Sequence, residues 1–494
     1  MSNAALRAKY DQLVAERAKQ ASIVADLDAR LQELRPQLKR IKYCLETLPH
    51  EVLSEIFVYC RSTVPDVYMD MVHPLEAPLL LTQICAQWRR VALATPHLWT
   101  TFKVVVGEAR KPKLAEMAEA WLGRTGSILP LSIFIGGAFA VGEDDSFFDV
   151  LQRYAPRVKS LHLRLPVADL LRLNERDWSF PILERLGVSS EVPSRSPPAP
   201  DAVTMFHQSP LLRSFTLDTF GTDLSSQSLP LDCFLLSDNA HIVDFAANGY
   251  RVAGVSDALH ELYEVFRGTF TLCSGADFDT VDPVTHDRIA ALQLQCFGTG
   301  WDTALANLTL PSLLALTIRG MSTQHVEDTV FEEFLQRSQC TLTALILSSP
   351  FLLRIPPPST FRLLPALTEL RLLSVQSTNV SEFFDAYATE PAFLPALHIF
   401  VIMSSETAQN NAESSIYRRA ASFGYLVQRV VDAFARRRET VPGFPWALES
   451  VGVMVDDGPA PVLPEERLEP LQVLKAAGVE VRVGSMEHSI EGFD

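Results

Sequence analysis

The chain has 494 residues, 47% of them apolar, so it can bury a large core and divide into more than one folding unit; disorder of the whole is excluded. A formal charge of -16 argues against a duplex-binding protein, because neutralising phosphates requires a basic surface, and nucleic acid is not an expected partner. The longest apolar stretch, residues 129–141, holds Pro130, Gly136 and Gly137 and falls short of the roughly 20 residues a spanning helix needs, so no membrane contact is expected either.

Cys44, Cys60, Cys85, Cys233, Cys273, Cys296 and Cys340 are widely spaced without a C-x-x-C pair. They read as reduced thiols, buried as small apolar residues, in a cytoplasmic or nuclear protein. The opening MSNAALRAKYDQ lacks the basic-then-apolar order of a secretory signal. The first element is a helix over about residues 4–35, rich in Ala, Leu, Glu, Lys, Gln and Arg, which Pro36 is expected to end or kink. Leu6, Tyr10, Leu13, Val24, Leu27, Leu31, Leu34, Leu38, Ile41, Leu45 and Leu48 share one heptad frame, interrupted by Arg17 and Gln20. Such a seam suits coiled-coil self-association or packing on the chain's own body, and residues 1–45 form this segment.

From Leu45 the chain reads LETLPHEVLSEIFVYC. After an interval holding Pro65, Pro74 and Pro78 it resumes APLLLTQICAQWRRVALATPHLWTTFKV. Val52, Leu53, Ile56 and Phe57 make one helical stripe; Leu80, Leu81, Ile84, Cys85 and Trp88 make a second. Stripes of this kind are commonly the private core of a small helical unit, here residues 46–105. The ordered set Leu48-Pro49, Glu51-Val52-Leu53, Ile56-Phe57, Ile84-Cys85, Trp88-Arg89, Ala92-Leu93, Pro96 and Leu98-Trp99 resembles the F-box-like domain of fungal F-box proteins. That resemblance implies docking on the Skp adaptor, and through it on a cullin scaffold. It implies adaptor contact from Leu48, Pro49, Val52, Leu53, Ile56 and Phe57, joined by Ile84 and Trp88. Trp88 and Trp99 would also anchor the motif's own core or its seam to the next domain.

A connecting helix with Leu114, Met117, Trp121 and Leu122 occupies residues 106–129, and LSIFI after Pro130 alternates as a strand. Across residues 130–494 an apolar i, i+3, i+5 frame then recurs. It falls at Val158/Leu161/Leu163, Leu183/Leu186/Val188, Leu212/Phe215/Leu217, Ile289/Leu292/Leu294 and Leu313/Leu316/Ile318. It continues at Leu342/Leu345/Leu347, Leu367/Leu370/Leu372, Leu397/Phe400/Ile402 and Leu448/Val451/Val453. With weak members centred on 243 and 270, the middle residue advances by about 22 to 30 positions, within the leucine-rich-repeat range. The expected fold class is therefore mixed α/β: a small helical domain followed by an irregular leucine-rich-repeat solenoid with a curved parallel sheet. An unrelated α/β fold with parallel strands is the alternative. Leu161, Leu186, Leu316, Leu345 and Leu370 should lie side by side. The Asn that usually follows such strands is absent, so its backbone partners need other donors and acceptors. Ile416, Ala420, Phe423, Val427, Val430 and Phe434 form one face of an enlarged repeat helix, and Arg436, Arg437 and Arg438 suit its C-terminal dipole.

The Pro- and Ser-rich stretch at residues 189–203 reads as a surface loop, and DFDTVD at 277–282 as a solvated acidic loop without the Gly and Glu of a calcium site. No P-loop, nucleophile elbow or H-E-x-x-H helix occurs, and the His residues are scattered, so neither catalysis, cofactor nor metal is expected. The reading is a substrate-recognition subunit of a Skp/cullin/F-box ubiquitin ligase whose repeat domain holds an unidentified target protein. The alternative is a non-catalytic scaffold or binding module in which the F-box-like helices cap the repeats.

Overall fold

A computed structural model describes residues 3–40, 48–60, 74–106, 113–139, 146–190, 203–218, 229, 231–236, 241–272, 281–296, 301–320, 328–352, 355–375, 380–404, 412–440, 448–455, 472, 474–476 and 478–485. Two units are distinguished by their internal contacts, the first reaching Leu98 and the second beginning at Trp99.

Among its described residues the first unit holds the α-helices α1 (Asn3–Arg40), α2 (His50–Tyr59), α3 (Leu81–Ile84) and α4 (Ala86–Ala94). One expectation changes here. Helix α1 runs through Pro36 to Arg40, so loss of one amide donor does not end it. The second apolar stripe is carried by two short helices: Cys85 is extended, and its Sγ accepts the Trp88 amide at 3.4 Å, capping α4 and separating it from α3.

The second unit is built on strands β1 (Thr101–Val106), β2 (Leu131–Gly137), β3 (Val158–Arg164), β4 (Arg185–Ser189), β5 (Ser214–Asp218), β6 (Asp244–Tyr250), β7 (Arg267–Leu272) and β8 (Val284–Thr285). They are followed by β9 (Ala291–Cys296), β10 (Leu308–Thr309), β11 (Ala315–Gly320), β12 (Ala344–Leu352), β13 (Glu369–Val375), β14 (Ile399–Ser404), β15 (Ser450–Val455) and β16 (Glu480–Ser485). Fourteen of them form one sheet in chain order, while β8 and β10 pair as a separate two-stranded sheet. Every pairing in the large sheet is parallel. The sheet thus takes in β1, ahead of the boundary at residue 130 that the repeat pattern implied.

Local sequence sets how each strand begins. In FPIL, SPLL, LPSL and the two LPAL segments, Pro occupies the position of a β-turn that its fixed φ suits, and the following Leu183, Leu212, Leu313, Leu367 or Leu397 donates its amide to the carbonyl three residues back. One carbonyl of the preceding unit then accepts two successive amides. Val243 O takes Phe266 N and Arg267 N, Ala290 O takes Leu314 N and Ala315 N, and Thr368 O takes His398 N and Ile399 N. These bonds supply register and satisfy backbone groups without an Asn ladder.

Register aligns the middle residue of every frame. The row runs Phe102, Ile133, Leu161, Leu186, Phe215, Phe245, Gly268, Leu292, Leu316, Leu345, Leu370, Phe400, Val451 and Val481. A second inward row, two residues further on, runs from Val104 to Val483. All members of the first row but Val481 are buried, because alternate side chains of a strand share a face. The weak members are corrected by this alignment. Their middle positions are Phe245 and Gly268, not 243 and 270, and Phe270 belongs to the second row. The signal was blurred because Gly268 has no side chain: a Cβ there would meet the Phe270 ring at 3.0 Å, so that ring fills the gap.

The helix Ala412–Thr440 buries Phe423, Leu426, Val427, Val430 and Phe434. Arg437 also reaches the preceding helix. Its guanidinium lies over the Tyr387 ring, 4.1 Å from the centroid, and donates at 2.6 Å to Tyr387 O, near the end of the preceding helix Ser381–Thr389. Arg337 repeats the device with Leu305 O at 2.6 Å and Leu308 O at 2.9 Å. Arginine in one segment therefore satisfies carbonyls that the helix end before it leaves open. Residues 191–202, 277–280 and 61–73, on which parts of the loop and interval expectations fall, lie outside the described residues; Ser189, Ser190 and Val203 at the margins of the first are buried.

Candidate functional site

Two surfaces stand out, one in each unit. In the first, Pro49 precedes α2 in extended conformation and its carbonyl accepts the Leu53 amide at 3.1 Å, starting the helix. The four apolar residues expected to meet a partner then divide. Leu53 (1% exposed) and Phe57 (0%) face inward, with the Phe57 ring 4.9 Å from that of the half-buried Trp88. Val52 (43%) and Ile56 (42%) face outward, and Tyr59 continues their stripe. Leu48 is half-buried, Pro49 exposed, and Ile84 exposed on α3 beside the exposed Leu80. Tyr59 was missed by sequence reasoning, although its i+7 spacing from Val52 marks it.

In the second unit, the strand positions between the inward rows form an open face of three outward rows. They carry Lys103, Arg164, Arg185, Arg267, Arg319, Arg371 and Arg482 against Asp218, Asp244, Glu369 and Glu480. The face is thus net +3 within a chain of -16. Asp244 pairs with Arg267 at 2.5 Å, Glu369 with Arg371 at 2.5 Å and Glu480 with Arg482 at 2.8 Å. Between the charges lie Thr216, Asn248, Thr269, Thr271, Gln293, Gln295 and Thr317, polar groups suited to hydrogen bonding; Thr271 Oγ1 donates to Asn248 Oδ1 at 2.7 Å.

One corner of this face is closed. The His162 ring stacks on Phe134 at 4.9 Å and 10°, lies where a Cβ of Gly187 would stand, and bonds Ser189 Oγ through Nε2 at 3.1 Å. Lys103 Nζ sits 5.2 Å above the same Phe134 ring. Burial, aided by the charges of Arg164 and Lys103, lowers the His162 pKa from 6.5 to about 4, so the imidazole is neutral at pH 7. Elsewhere, a groove of about 650 Å³ opens where β6 to β11 begin, lined by Val243, Phe266, Leu314 and the Glu264–Arg288 pair at 3.7 Å.

Among the described residues, no group of three or more His, Cys, Asp or Glu side chains converges as a metal site would require, and no helix is long and apolar enough to cross a membrane. Cys233 and Cys296 are buried, Cys85 and Cys340 half-buried, and Cys60 exposed. No family model matches the chain, and no curated protein matches it.

Proposed function

We propose that this chain is a non-catalytic target receptor that docks a Skp-type adaptor through the outer stripe of α2 and holds a protein target on the open sheet face, delivering it to a cullin ubiquitin ligase. The observation that carries the reading is the division of α2. Leu53 and Phe57 turn inward, Phe57 against Trp88, which leaves Val52, Ile56 and Tyr59 as an exposed apolar stripe. Unbroken chain order in the parallel sheet supports reading the second unit as a leucine-rich-repeat-like solenoid, whose exposed face is the usual place for a partner. The excess of cations on that face favours an acidic target segment.

The test is co-precipitation with the Skp adaptor, comparing the full chain with Ile56→Asp. Burying a leucine-sized side chain contributes roughly 1.5–3 kcal/mol, and interface energy concentrates in a few such residues. An unpaired carboxylate in that contact should abolish binding. Because Ile56 is exposed, thermal unfolding should change little; Leu53→Asp would confound the result by unfolding the unit. If the unaltered chain fails to bind the adaptor, or Ile56→Asp binds equally well, the receptor reading is wrong and the capping-module reading replaces it.

A further inference from the structure

Helix α1 presents a seam that no described residue of this chain covers. Every side chain described on it, Arg7, Tyr10 and residues 12–32, is exposed. Tyr10, Leu13, Val24, Leu27 and Leu31 are each more than half exposed, as is Ile23 beside them. The seam positions 10, 13, 17, 20, 24, 27 and 31 alternate by three and four, placing Tyr10, Arg17, Val24 and Leu31 at a and Leu13, Gln20 and Leu27 at d. Glu16, Ile23 and Arg30 then fall at g, and Val14, Ala21 and Asp28 at e.

Two copies of this helix fit together in one direction better than the other. In a parallel pair each seam residue meets its own counterpart, so Arg17 would face Arg17 of the second copy, and Ile23 would face Asp28 at the flank. In an antiparallel pair centred at the level of Ser22, a meets d of the second copy: Leu13 with Leu31, Arg17 with Leu27, and Gln20 with Val24. The Arg17 stem then lies on an apolar side chain while its guanidinium reaches water. The g flank agrees. Glu16 meets Arg30 of the second copy twice, and Ile23, an apolar residue outside the seam, meets Ile23 on the two-fold axis. On the e flank Ala21 meets Ala21, small enough to let the helices approach, and Val14 lies beside Asp28. Arg30 lies 3.0 Å from Asp26 of its own helix, both exposed, so its guanidinium remains open to an incoming Glu16.

We propose that α1 pairs with α1 of a second copy as an antiparallel two-helix coiled coil about a two-fold axis at the level of Ser22. The contact is isologous and closes, so it yields a dimer and not a filament. Both ends of the pair then carry one complete copy of the rest of the chain, giving a two-headed receptor whose target binding gains from avidity.

The experiment uses the full chain. Light scattering after size exclusion should give a dimer, and Leu27→Asp should return it to monomer without changing the unfolding of the second unit. Glu16→Lys should raise the dissociation constant by roughly fivefold or more, and Glu16→Lys with Arg30→Glu should restore it. Direction is read from the Leu13→Cys/Leu31→Cys double variant, oxidised and mapped by peptide mass spectrometry so that native thiols are told apart. Links between 13 and 31 of different copies support the antiparallel pair. A chain monomeric at all concentrations, a dimer indifferent to Leu27→Asp, or links joining 13 to 13 and 31 to 31 would overturn it.

Discussion

The inward and outward faces of the large sheet are made by alternate residues of the same strands, yet they follow opposite rules. Inward, the residue type hardly varies: Leu, Ile, Val and Phe recur from Phe102 to Val451, and Gly268 is filled in by Phe270. Outward, the type changes at nearly every strand, from Lys103 through His162, Thr216, Gln293 and Arg371 to Arg482. Register explains the contrast. A slip of one residue would turn a whole inward row to solvent, so those positions are held to apolar residues while their neighbours are left open to other uses. Stability lives on one face, and the polar and charged variety lives on the other.

The sharpest way to break this division is to cut the inward row. Leu345 is fully buried between Leu316 and Leu370 of the adjoining strands. Leu345→Ala should destabilise the second unit by about 2–5 kcal/mol through lost burial and the cavity left behind. The urea midpoint should fall with the slope little changed. A loss under about 1 kcal/mol would show that the row is not the stabilising element.

His162 sharpens the comparison, because it is an outward residue that behaves as an inward one. Its pKa is lowered to about 4, first by burial and then by Arg164 and Lys103. Between the unfolded value near 6.5 and that folded value, the unfolded chain binds the proton and the folded chain does not. The associated stability is therefore present above pH 6.5 and is lost as pH falls toward 4, by about 2–3 kcal/mol after allowance for the solvent reaching the ring. Urea unfolding at pH 7 and pH 4.5 should show a smaller loss in His162→Gln than in the unaltered chain; equal losses would remove His162 from the open face's exceptions.

The same division explains what could be read from the residues alone. Inward rows announce themselves by period, so Leu161, Leu186, Leu316, Leu345 and Leu370 were expected in line and do lie in one row. Strands at the ends were harder: β1 follows directly on the helical segment, and β16 ends the sheet with Val481 half-buried and Val483 exposed. The open face needs the register before Lys103 and Arg164 can be placed together with His162, and no local pattern supplies that. On α2, Val52, Leu53, Ile56 and Phe57 are all apolar, so composition marks the stripe but not its direction; only packing against Trp88 decides which two turn inward. The split at Cys85 was hidden for a related reason, since helical spacing continues across it and a thiol acting as a cap carries little sequence signal.

The smallest effect on stability is expected at Arg319, in the outward row beside Gln295 and Ser348. Its side chain is exposed and has no ion-pair partner among the described residues, so Arg319→Glu removes no folded-state contact of consequence and should shift unfolding by no more than about 0.5 kcal/mol. Its neighbour in the chain, Ile318, points inward and would not tolerate the same charge. If the open face holds an acidic segment, Arg319→Glu replaces an attraction by a repulsion near the middle of the sheet. Capture of the target should weaken by about tenfold at low salt, and the difference should shrink as ionic strength rises, because the Debye length falls to about 8 Å at 0.15 M. Adaptor binding should be unaffected. A variant that unfolds early would show that outward positions share in stability; one that keeps target affinity at low salt would show that the cations of this face do not choose the partner.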